Sequence, residues 1–418
     1  MLKFLKSSAW SGLSVVVRAV ASLAINKLFA VLYGPNGITL LAHFQNLLAI
    51  LCTVPNGGIN IGLIKYLAPG SEKSNLYRKY FWAGLVLNLL ALLAGAVVLF
   101  SSRTYYFGAF IAPAQPGTEW LWYVVFFLGT VFLVLNLFLL NVLLARGHLP
   151  SYVLITILSS MLGVVAVWLV MDVMSVGATL LAFLWGQCVW FAASLLLVWK
   201  YGLLPSHFTA KIPRRYYRDL GKFILMALST LVFMKMVDFF VRDYVIARFD
   251  LYQTGLWQAV AKISDNYSLF YTSIMGMVYY THLAKLVPEP EKMRLFVRKT
   301  FYSLVPVIGG GLLFFYLFSD FFISLLYARE FLAARYLLDY QLIGDFLKLS
   351  SYIISSIISV QASVKLYLVT QAASGILYIL LLAVLIDLLG LEGVTMAHAL
   401  RYGGYLLFML IWFRKIIF

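Results

Sequence analysis

Ten ionisable side chains stand inside stretches of this 418-residue sequence that are otherwise apolar. Seven are cations: Arg18, Lys27, Lys235, Arg242, Lys262, Lys348 and Arg401. Three are acids: Asp238, Asp265 and Asp345. A charge at membrane depth costs about 2.5–3.5 kcal/mol on insertion scales unless it is paired or faces water, so each marks a functional-site hypothesis. Spacing brings several together. Lys235, Asp238 and Arg242 follow i, i+3, i+7 along one helix face, while Lys262 with Asp265 and Asp345 with Lys348 are i, i+3 neighbours able to pair. Arg18 has no acid on its own helix and is expected to line a wet cavity. Lys27, nine residues later, is about half a turn out of phase with it and lies near the outer end, where a lysine can snorkel. Arg401 has Asp345 and Asp387 as candidate partners on other helices. The positive excess points to an anionic cargo, because Arg grips phosphate through two parallel N–H bonds and Lys binds it as a point charge. The three acids are candidates for coupling to a cation or proton. Asn26, His43, Gln45, Asn46, Asn136, Asn141 and Gln258 add hydrogen-bonding capacity suited to sugar hydroxyls. Their competing role is to bond one helix to another.

The elements that must carry these groups are membrane helices. The chain is 63% hydrophobic and 11% charged, against roughly half and a quarter in soluble domains. About 20 apolar residues cross the hydrocarbon as a helix. About twelve such stretches are legible, near 9–33, 38–66, 79–101, 119–145, 151–171, 177–199, 218–247, 254–283, 296–318, 334–362, 366–387 and 392–413. Their length excludes a barrel. The fold class expected is all-α integral membrane. The first span is too long for a cleaved signal peptide and contains Arg18, so it is read as retained.

With the N-terminus in the cytoplasm, about 21 of the 32 basic residues fall on inner segments, among them Lys65, Lys73, Arg78, Lys79, Arg146, Lys211, Arg214, Arg215 and Arg218. About four fall outside: Arg103, Arg248, Arg329 and Arg335. By the positive-inside rule both termini are cytoplasmic. The net charge of +16 is then mostly topology, not a nucleic-acid footprint. Every connection is short. The loop from Ser102 to Gly117 holds no acid and no histidine, which argues against a membrane glycan polymerase or ligase. Cys52 and Cys188 sit in apolar runs, and no metal-binding spacing is present.

The chain also repeats itself. YGPNGITLLAHFQNLLAI resembles LYQTGLWQAVAKISDNYS, with Gly37 and Gly255 at an offset of 218 residues. YRKYFWAG and VRKTFYSL both open the third helix of a half. These pairs predict two pseudo-symmetric six-helix bundles, 1–200 and 218–418, joined by a basic cytoplasmic linker at 201–217. Such a pair encloses a central cavity, and no channel-like filter loop is present.

KLFAVLYGPNGITLLAHFQNL, KFILMALST, GLWQAVAKISDNYSLFYTS and YQLIGDFLKLSSYIIS resemble the Wzx-type polysaccharide flippases. These belong to the multidrug/oligosaccharidyl-lipid/polysaccharide exporter superfamily, and the likeness is nearest to the branch serving the enterobacterial common antigen. The resemblance implies a V-shaped pair of bundles working by alternating access. Its cargo would be an undecaprenyl-diphosphate-linked oligosaccharide, carried from the cytoplasmic to the periplasmic leaflet of the bacterial inner membrane. It implies no bound cofactor, an H+ or Na+ gradient as coupling, and membrane lipids, a glycan polymerase and a chain-length regulator as partners. Carried onto this chain, the cavity cations would be Arg18, Lys27 and Arg242. Gln45 stands where relatives tend to carry a cation, and Lys235 where they tend to carry proline. Within the same superfamily a multidrug or cation antiporter is the main alternative. Peptidoglycan-precursor flippases typically have two more helices.

Overall fold

The computed structural model describes residues 2–67, 75–101, 119–205, 207, 212–361 and 363–417. Lys73, Arg103, Lys211 and the loop from Ser102 to Gly117 lie outside the described residues, as do the side chains of Lys3, Lys6 and Lys285. Helices dominate, and the described residues contain no strand.

Nine described stretches are long and apolar enough to cross a membrane. The first, Gly12–Leu67, is 56 residues long, roughly 80 Å of helix at 1.5 Å per residue. It is two crossings. The helix Leu2–Val54 breaks at Gly34, where φ is 58° and ψ −156°, a region that glycine enters without steric cost. Two further membrane-length helical stretches are less apolar because they carry the charges. One runs through Arg214–Thr230, Leu231–Met236 and Val237–Arg248. The other runs through Leu251–Ile274, Met275–Tyr280 and Thr281–Lys285. Counting the first stretch twice and adding these two gives the twelve spans expected from the sequence. The eighth starts at Leu251, earlier than its apolar run, because the Asp250 side chain accepts from the Gln253 amide at 2.6 Å and caps it.

Among the described residues, three spans contain a π-turn: Pro55–Ile59, Leu231–Met236 and Met275–Tyr280. Pro55 explains the first, since it lacks an N–H and crowds the preceding turn. The first and third begin 220 residues apart, close to the offset between Gly37 and Gly255.

By contact the chain divides into two compact units. One comprises Met1–Tyr33 with Leu40–Met236, the other Gly34–Thr39 with Val237–Phe418. The first is cored by residues such as Tyr77, Phe81, Phe138, Leu143, Val198 and Leu220. Within it Gly58 and Gly62 let helix Arg214–Thr230 lie close: a Cβ on Gly58 would stand 2.8 Å from that of Ala227. The second is cored by Leu283, Val297, Ile353, Ile354, Ile357 and Met409.

Candidate functional site

In the first unit, Arg18 is exposed and its Nε donates to the Ser14 carbonyl at 3.3 Å. Lys27 and Lys235 are half-buried. Among the described residues of this unit the acids are Glu119, Asp172 and Asp219, which stand in connections or within two turns of a helix start. Arg18 and Lys27 therefore share a span that carries no acid, whereas Lys235 stands three residues before Asp238 on one continuous helical stretch. Lys235 lies in the π-turn Leu231–Met236. Asp238 and Arg242 follow in the regular helix Val237–Arg248.

The second unit is different: it holds both signs of intramembrane charge, the cations Arg242, Lys262, Lys348 and Arg401 and the acids Asp238, Asp265 and Asp345. Its centre is Asp345, fully buried at 0% exposure. Ser264 Oγ donates to Asp345 Oδ2 at 2.5 Å, and Tyr267 OH donates to the same oxygen. Gln341 Nε2 donates at 3.4 Å, and His398 Nε2 stands 3.1 Å from Oδ1. These partners come from helices Leu251–Ile274, Leu338–Val360 and Glu392–Trp412, so one carboxylate pins three helices. The expected Asp345–Lys348 pair does not form as a direct bond, since Lys348 Nζ instead donates to Ser268 Oγ at 3.3 Å. Helical spacing put the two on one face, but donors on neighbouring helices reach Asp345 first.

Arg401 pairs with neither Asp345 nor Asp387, contrary to expectation. Its Nε donates to Ser374 Oγ at 2.8 Å, and its guanidinium lies 5.0 Å from the ring centres of both Tyr378 and Tyr402. Asp387 is taken by Arg248 in an exposed ion pair. Lys348 approaches the Tyr402 ring too, at 5.9 Å. The phenol faces of Tyr378 and Tyr402 thus hold the two cations through their ring quadrupoles. Arg242 is 9% exposed, within the fields of Asp238 and Asp265. Asp238 and Asp265 also act on Lys348 and are themselves exposed. Lys262 is half-buried, one turn before Asp265.

Most of the predicted polar lining is sealed inside the units. Asn26, His43, Asn46 and Gln258 are all buried, while Gln45 and Asn141 are half-buried. Asn136 accepts from Ser194 at 2.5 Å, and Asn141 donates to Asn56 at 3.3 Å and to the Leu137 carbonyl at 2.7 Å. In this structure Asn136 and Asn141 act between and along helices. Sequence reasoning missed His398, Tyr267, Tyr378 and Tyr402. The available signal was His398, Arg401 and Tyr402 at i, i+3, i+4 on one helix. No described group of His, Cys, Asp and Glu is arranged to hold a metal.

Gly344 makes this cluster sterically feasible. A Cβ there would stand 2.3 Å from His398 Cδ2 and 3.0 Å from the Ala399 backbone. Gly344→Ala is expected to lower stability by about 1–3 kcal/mol, the usual cost of overpacking. Thermal unfolding in detergent measures this; an unchanged midpoint would show that the helices can separate freely.

No protein-family model matches the sequence. Among curated proteins, the chain is 28% identical over 414 residues to the lipid III flippase of Escherichia coli (strain K12), covering 96% of this chain and 95% of that one. Among solved structures, it superposes on an inward-facing multidrug resistance MATE family transporter of the MOP superfamily with a TM-score of 0.76 and 13% identity, over 96% of this chain and 98% of the other. The lipid II flippase MurJ, in an inward closed conformation, gives 0.72 and 13% over 99% and 89%. The chain therefore has the all-α membrane fold that those transporters share.

Proposed function

We propose, from a likeness to the lipid III flippase that runs nearly the length of both chains, that this protein is a lipid-linked oligosaccharide flippase. It is a transporter and not an enzyme. Its cargo is an undecaprenyl-diphosphate-linked oligosaccharide, lipid III-like or an O-antigen unit. The cargo moves from the cytoplasmic to the periplasmic leaflet of the inner membrane by alternating access, with both termini cytoplasmic. Domains 1–200 and 218–418 act as the two bundles, and a glycan polymerase with its chain-length regulator consumes the product.

The cations supply the recognition chemistry. Arg18 and Lys27 sit in a span without acids, which suits them to the diphosphate, and Lys235 adds a third cation three residues before Asp238. Arg242, Lys262, Lys348 and Arg401 extend the same chemistry in the second unit, tempered by its carboxylates. Asp345 is satisfied by four neighbours and serves to position helices. Asp238 and Asp265 are exposed and are the better placed acids for H+ or Na+ coupling.

The test is flipping of a fluorescent polyprenyl-diphosphate oligosaccharide by purified protein in vesicles. Protein-dependent flipping is expected. No glycolipid movement together with export of a cationic dye would make the chain a drug antiporter and end the proposal. Arg18→Ala and Arg242→Ala should each slow flipping tenfold or more, with Arg242→Lys partly restoring it. Wild-type rates in both alanine variants would remove the cation mechanism.

A further inference from the structure

Three tyrosines on the eighth span spend their hydroxyls on one neighbouring helix. Tyr267 donates to the Asp345 carboxylate, Tyr271 to the Leu349 carbonyl at 3.0 Å, and Tyr279 to the Ile353 carbonyl at 2.9 Å. The acceptors follow at intervals of four along Leu338–Val360. The last donor, Tyr279, is carried by the π-turn Met275–Tyr280. With each hydroxyl satisfied, what remains for a ligand is the ring face. Together with Phe296, Phe315 and Leu349, these rings line a groove of about 810 Å³ within the second unit. Its rim includes the exposed Val278, Val307 and Phe314.

We propose that this groove holds the polyprenyl chain of the transported lipid. The proposal rests on the flippase reading for the chemistry of the lipid. A chain carbon occupies roughly the liquid volume of a water, about 30 Å³, so the groove takes about 25 or more carbons, beyond one ordinary acyl chain. Aromatic faces suit the branched, unsaturated carbons of an isoprenoid. The groove is also continuous with the charged cluster: Tyr267 lines it and bonds Asp345, and Leu349 follows Lys348, whose ammonium is held at Ser268. A chain seated there brings its phosphate end towards Lys348, opposite charge to opposite charge.

Two neighbouring glycines make the test clean. Gly311 lines the groove and Gly310 does not. A Cβ on either meets nothing within 4 Å, so a larger side chain enters open space at both. Purified protein is labelled with a polyprenyl phosphate bearing a tail diazirine, and separately with a diazirine-tailed phosphatidylglycerol, without any ion gradient. Labelled peptides are expected from Tyr267–Tyr279 and Phe296–Phe315, mostly with the polyprenyl probe. Gly311→Phe should cut that labelling tenfold or more, and Gly310→Phe should leave it within twofold. Equal labelling of Gly311→Phe and wild type, or equal labelling by the diacyl probe, overturns the proposal. Because labelling needs no turnover, a wild-type protein that labels but does not flip would leave the groove assignment standing and remove the flippase reading alone.

Discussion

Gly255→Ala is expected to eliminate folded protein. A Cβ at that position would stand 2.0 Å from the Pro35 carbonyl oxygen, 2.4 Å from its carbon and 2.7 Å from its Cα. All three are backbone atoms, so no rotamer relieves the clash. The segment they belong to is held in place independently, because Thr39 Oγ1 donates to the Leu251 carbonyl at 2.8 Å. Overpacking that a side chain can absorb costs about 1–3 kcal/mol; here backbone must move, and the loss should exceed that range. Gly221→Ala is the control. It meets nothing within 4 Å in the middle of a helix, and it should be neutral or stabilising by up to about 1 kcal/mol through helix propensity. Fluorescence-detected size exclusion after heating reads both. A monodisperse, wild-type-like Gly255→Ala protein would mean that the turn at Gly34 does not seat on helix Leu251–Ile274.

Asp345→Asn carries the second large effect. The carboxylate accepts from Ser264, Tyr267 and Gln341 and adjoins His398, with no exposure to solvent. Bonds to a charged acceptor are worth about 1.5–3 kcal/mol each, and removing one member of a buried charged set costs about 3–5 kcal/mol. The asparagine amide keeps the shape but turns donor hydrogens toward donors. Serine and tyrosine hydroxyls can rotate to accept; the Gln341 amide cannot without flipping. The expected destabilisation is therefore about 3 kcal/mol or more, measured by thermal or denaturant unfolding in detergent. His398→Gln, which retains a donor, should cost less. If Asp345→Asn unfolds with wild type, the carboxylate does not hold the three helices together.

Some of this was legible residue by residue. Arg18, Asp238 and Asp265 could be placed in membrane spans because a run of about 20 apolar residues identifies a crossing whatever its neighbours are. The break between the first two spans, left open between 33 and 38 by hydropathy, falls at Gly34 and Pro35, a pair that ends a helix through its own backbone chemistry. Hydropathy could not show the π-turns, because one extra residue in a turn changes the backbone register and not the composition.

Span positions, their charges and the repeat near 218–220 residues are local or periodic properties, and the amino-acid sequence alone determined them. Partner choice was decided only by the tertiary structure. Asp345 met His398, 53 residues away, in preference to Lys348 one turn along its own helix. Arg401 met Ser374, Tyr378 and Tyr402 with no carboxylate. The physical reason is that helix spacing lists which side chains can share a face. Which of them meet depends on how closely neighbouring helices pack, and at Gly344 and Gly255 the absence of a single Cβ sets that distance.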